Sequence, residues 1–290
     1  MSAITGSAVQ TKPSFVQRHP LIAFFLLAIG LTWIFLVTDA LGSRGIIPFR
    51  LPLPLLLVMG YMPTLAAVLV TGATKGLAGI GALFRRLLIA RVGWPWYAFA
   101  IFATAVVSVV TVALYNALSV GQAVPILSAK TTSLSGPMLI TSILLLFLIS
   151  GIINGEELAW RGFALPRLQA KYTALQSSLI LGPIWALFHL PLFFTTGSSQ
   201  EHMSFVGFLV STTALTVLFT WLFNNTRGSV LLAYLFHASQ NTWTQVFTVD
   251  HAQRGLDWIM AGLFALLALV VVLAAGPRHL SRSASRIQES

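Results

Sequence analysis

Cysteine is absent from the 290 residues. That absence excludes disulfides, cysteine nucleophiles, thiolate zinc sites and iron–sulfur clusters, so any metal would need histidine and carboxylate ligands. Charge is almost as scarce: only 8% of the residues are Asp, Glu, Lys or Arg, against roughly 25% in a soluble domain. With 57% hydrophobic residues and a mean hydropathy of +0.86, the deficit points to an all-α polytopic membrane protein. Scarcest of all is negative charge, with seven Asp and Glu against seventeen Lys and Arg. The net charge of +10 is scattered over short inter-helix segments and tails, a pattern that reports membrane orientation and gives no reason to expect a nucleic-acid partner.

Apolar runs near the ~20 residues needed to cross a bilayer set the expected organisation. They cover Leu21–Leu41, Leu51–Thr71, Tyr97–Leu118, Met138 into the pair Glu156-Glu157, Ala174–Phe194, Ser204–Phe223, Ser229–Phe247 and Trp258–Ala275. Pro63 predicts a kink in the second run. Lys75–Trp96 differs in kind, because Leu83, Phe84, Leu87 and Leu88 recur at helical spacing beside Arg85, Arg86 and Arg91. This predicts an amphipathic helix lying in the membrane interface. Residues 1–20 read as a disordered cytoplasmic tail, 21–276 as one helical membrane domain and 277–290 as a basic cytoplasmic tail. With both termini inside, thirteen of the seventeen basic residues fall on cytoplasmic segments, as the positive-inside rule requires for eight spans. The expected location is the bacterial cytoplasmic membrane.

Against this apolar background Glu156 and Glu157 stand out, since a carboxylate at the end of a span costs free energy and is kept for a function or a firm partner. Glu157 and Arg161 are four apart and share a helix face, which predicts a local ion pair. Glu156 points about 100° away and is left free to act as a base. His189 sits in an otherwise apolar segment one turn after Trp185, and His237 lies one turn before Asn241, so both of the latter can face one cavity. Asp39 reads as interfacial. A single membrane histidine can be mere interhelical glue. Taken together, one carboxylate, two histidines and an asparagine could form a water-activating base with oxyanion donors. Equally, Glu156, His189 and His237 could form a two-His, one-carboxylate metal site. Spacing does not choose between the two.

The wording around these residues resembles a known family. Glu156-Glu157 followed by Arg161, an aromatic ring before His189, and His237 before Asn241 are similar to the three motifs of the CPBP family. That family joins type II CAAX prenyl endopeptidases with bacterial Abi and bacteriocin-processing or immunity proteins. The likeness covers 139–243, with one departure: the second motif usually opens with Phe, and here with Trp185. The resemblance implies an intramembrane endopeptidase in which Glu156 and His189 activate water and His237 and Asn241 bind the oxyanion. It also implies that Glu157 and Arg161 support the site, and it leaves zinc or another divalent metal open as a cofactor. Its substrate would be a membrane-associated protein or lipidated peptide, met within the lipid bilayer. The rival expectations are a non-enzymatic immunity or scaffold protein and a proton-coupled transporter.

Overall fold

The structure, a computed structural model, describes residues 13–118, 121–247 and 254–282. The greater part of both predicted tails lies outside those ranges. Eight long helices form: α1 Pro20–Ser43, α2 Met62–Arg85, α3 Trp94–Ala117, α4 Gly136–Ile153, α5 Ala174–Phe188, α6 Phe205–Asn225, α7 Val230–Val246 and α8 Arg254–Ala275. No strand occurs among the described residues. Seven of the eight are long and apolar enough to cross a bilayer; the exception is α7, at 17 residues, which carries His237 and Asn241. The architecture is that of an all-α polytopic membrane protein.

One of the seven does not run straight. Gly76 takes φ 63° and ψ −163°, outside the helical region. A Cβ placed on Gly79 would meet the Thr71 side chain at 3.0 Å and press on Lys75, although residues eight apart on a straight helix are separated by about 12 Å. The chain therefore turns back at Gly76 into a second leg, residues 77–85. Gly serves there because a positive φ costs it no Cβ clash. This second leg is the predicted amphipathic helix, with a corrected end: Trp94 and Trp96 open α3. Leu77 and Leu88 are exposed, and so are Phe84 and Trp94, as an interface-facing segment requires.

The helices pack so that α6 is central, against α5 and α8, while α7 packs on α3 and α4, and α1 on α2. Only Ser150 of α4 is buried, and its long apolar side chains face outward, where lipid is their natural solvent. Asp39, expected at the interface, is buried and paired with Arg50 at 3.2 Å. Residues 277–281 are held on the bundle. The carbonyls of Pro277 and Arg278 accept from the first amides of α5 at 3.1 and 2.9 Å, satisfying donors that a helix start leaves unmet. Leu280 is fully buried, and Asn224 and Asn225 donate to the His279 and Leu280 carbonyls at 2.7 and 2.8 Å.

Candidate active site

The site begins where α4 ends. Asn154, at φ −93° and ψ 76°, breaks the helix after Ile153, so the two glutamates sit on a turn beyond it and not within its last turn as the apolar run suggests. Gly155 is held from α2: the Tyr61 ring packs where its Cβ would be, and Thr64 Oγ1 donates to its carbonyl at 2.5 Å. A π-helical turn, Leu158–Ala164, follows, a wide coil found mostly as single turns and often at functional sites. Every residue of that turn is buried.

The two carboxylates face different partners. Glu156 Oε2 accepts from the indole N–H groups of Trp160 at 2.9 Å and Trp185 at 2.7 Å. Its Oε1 lies 3.8 Å from His189 Nε2. His189 caps α5, with Nδ1 2.9 Å from the Trp185 carbonyl. A carbonyl only accepts, so Nδ1 carries the hydrogen, and in the neutral ring Nε2 keeps its lone pair toward Glu156. Two acceptors thus face each other across a gap that a water molecule can bridge by donating to both.

Glu157 is fully buried. Its Oε1 accepts from Arg161 Nη1 at 2.8 Å, the ion pair expected from the spacing, and from His237 Nδ1 at 2.7 Å. The Arg161 guanidinium lies over the rings of Phe219 at 3.7 Å and Trp185 at 4.3 Å, an arrangement that favours a cation between aromatic faces. His237 is aimed by the far side of α7. Ser239 Oγ and Trp243 Nε1 both donate to the Ile101 carbonyl of α3, at 2.8 and 2.7 Å, which locks the rotation of α7 about its axis. Asn241 lies one turn beyond His237, half-buried, and its side chain makes no hydrogen bond among the described residues.

Trp160 and Trp185 escaped the sequence reading as carboxylate donors. Trp185 touches every part of the site: it bonds Glu156, underlies Arg161, and its ring centroid lies 6.0 Å from that of His189 and 5.3 Å from that of His237. The departure from the usual Phe therefore adds a hydrogen-bond donor beside the shared aromatic wall. For Trp160 a signal existed, since it stands four residues after Glu156.

Residues 136–243, which contain all of these groups, match the family model described as type II CAAX prenyl endopeptidase Rce1-like. Over this segment the chain is similar to the type II CAAX prenyl endopeptidases. A relative, the protein named CAAX prenyl protease 2 of Methanococcus maripaludis, is 28% identical over 134 residues, 44% of this chain. The chain matches about half the length of that relative, 48%.

Both histidines of the matched segment have Nδ1 tied to an oxygen acceptor, the outer-shell pattern that metal-bound histidines share. The position of the atoms is another matter: among the described residues no three His, Asp or Glu side chains converge closely enough to hold one ion. The chemistry below is derived from the chain's own groups.

Proposed function

We propose that this protein is an intramembrane endopeptidase of the CAAX type, cleaving a peptide bond near a membrane-anchored, lipidated C-terminus. The observation that carries this reading is the 3.8 Å gap between Glu156 Oε1 and His189 Nε2, two acceptors aimed at one point inside an apolar bundle. A water donating to both loses a proton to one of them as its oxygen attacks the carbonyl carbon; the same group returns that proton to the leaving amine. Indole donors on Oε2 fix the Glu156 carboxyl without pairing it with a cation, so Oε1 stays available as a base.

The tetrahedral oxyanion needs donors, and the candidates are Asn241 and His237 on α7. With Nδ1–H given to Glu157, donation from His237 Nε2 requires the doubly protonated ring. Glu157 is the group that would stabilise this imidazolium, while Arg161 holds Glu157 in place. These two are positioning residues on this reading, and Glu156 and His189 are catalytic.

The test is cleavage of a panel of prenylated C-terminal peptides by the purified protein in detergent, with Glu156→Gln alongside and a chelator titration with zinc restored. Cleavage by the wild type and none by the variant is the expected result. Activity that falls with chelator and returns with zinc would replace the bare Glu-His pair by a metal-assisted one. A biological effect that persists in Glu156→Gln would overturn the enzyme reading in favour of an immunity or scaffold role.

A further inference from the structure

A second polar feature lies away from the active site, where the second leg of α2 meets the residues after the π-turn. There a recess of about 320 Å³, its open mouth included, is lined by Thr71, Lys75, Gly79, Arg86, Gly162 and Arg167 among others. Among the described residues, three of its lining side chains are cationic. Arg86 is 7% exposed and lies 5.7 Å over the Phe223 ring. Arg167 donates to the Phe163 carbonyl at 3.0 Å and lies 3.6 Å over that residue's ring. Both guanidinium groups are thereby held in place rather than swinging in solvent.

Thr71 supplies the independent observation. It is 3% exposed, and its hydroxyl has no hydrogen-bond partner among the described residues. A buried hydroxyl left unmet costs free energy, which a bound acceptor would recover. Gly79 keeps the wall open, since a side chain there would run into Thr71 and Lys75.

The surroundings say what kind of anion comes near. Leu77, Phe84, Leu88 and Trp94 flank the recess along the chain and are exposed, Leu77 by 87%. In a bilayer such residues sit at the acyl boundary, which sets the recess at headgroup depth. By the positive-inside rule this is also the cytoplasmic face, where anionic lipids meet basic pockets between helices.

We propose that this recess binds the phosphate of an anionic phospholipid headgroup, with Lys75, Arg86 and Arg167 supplying charge and Thr71 a hydrogen bond. Free inorganic phosphate shares the chemistry, so the test separates the two sources. Purified full-length protein in neutral detergent is titrated with phosphatidylglycerol, phosphatidylcholine or inorganic phosphate, and bound lipid is counted by native mass spectrometry with melting followed in parallel. Phosphatidylglycerol is expected to be retained saturably and to raise the melting temperature, well beyond phosphatidylcholine. Lys75→Gln should weaken its retention about fivefold, the worth of one basic residue at a membrane surface, and Thr71→Val should weaken it severalfold. Arg86→Gln should weaken it further. Should that variant fail to fold, exposed Lys75 and the equally shaped valine still decide the question. Equal retention of both lipids, or retention unchanged in Lys75→Gln and Thr71→Val, overturns the site. Protection by inorganic phosphate without phosphatidylglycerol binding overturns the lipid assignment.

Discussion

Glu156 and Glu157 are adjacent in the chain and live in opposite electrostatic company. Glu156 is held by two neutral indole donors and looks across a 3.8 Å gap at His189 Nε2. Glu157 is locked between an arginine and a histidine, with no exposed surface. Neutral indole donors orient one carboxylate without pairing it with a cation, whereas an arginine at 2.8 Å and a histidine at 2.7 Å engage the other directly. On the proposed mechanism the pair divides into a reactive group and a structural one through its partners, not through residue type.

The sharpest way to break this comparison is Glu156→Gln, which keeps shape and removes the base. Cleavage should fall by about 10³-fold or more while the melting temperature holds, because loss of a general base alone accounts for 10²–10⁴. Residual activity near wild type would end the assignment. His189→Gln should follow, with a loss of about 10²-fold in the same assay, since the Nε2 lone pair facing Glu156 disappears; a rise in KM alone, with kcat unchanged, would show that His189 only contacts substrate.

Glu157→Ala should reverse the pattern. It leaves Arg161 buried without its carboxylate, and breaking a buried pair costs about 3–5 kcal/mol, so the variant should melt far below wild type, as measured in detergent. Unchanged stability with vanished activity would make Glu157 the reactive group instead. Smallest is Trp185→Phe, which keeps a ring under Arg161 and removes one donor to Glu156. A stability loss of about 1.5 kcal/mol, typical of a hydrogen bond to a charged group, should accompany cleavage kept within about tenfold. A loss as deep as that of Glu156→Gln would mean that the indole donor is needed for catalysis itself.

Much of this was open to reading before any coordinates. The apolar runs marked seven of the eight long helices, because a bilayer demands long apolar segments and leaves few alternatives; the run Leu51–Thr71 instead divides between a short helix, Leu53–Met59, and the start of α2 at Met62. The Glu157–Arg161 pair followed from four-residue spacing, which is a local property. The composition change at Lys75 marks the start of the amphipathic leg, whereas the kink expected at Pro63 lies instead at Gly76, with Pro63 in the first turn of α2. The ends of α4 were less legible: an apolar run carries no mark for the residue at which its helix stops, and the asparagine break at 154 depends on Tyr61 and Thr64 packing against Gly155. Pairing of Asp39 with Arg50, and docking of 277–281 on α5 and α6, likewise join partners that no local pattern links.

What the chain order and composition settled is the membrane class, the helices and the identity of the polar groups buried among them, all consequences of local periodicity and the cost of charge in an apolar medium. Only the packing decided which partner each group found. Trp185 reaches Glu156 from 29 residues away and His237 reaches Glu157 from 80, and separations of that length are closed by the way α4, α5 and α7 meet, through contacts that leave no trace in the spacing of residues along the chain.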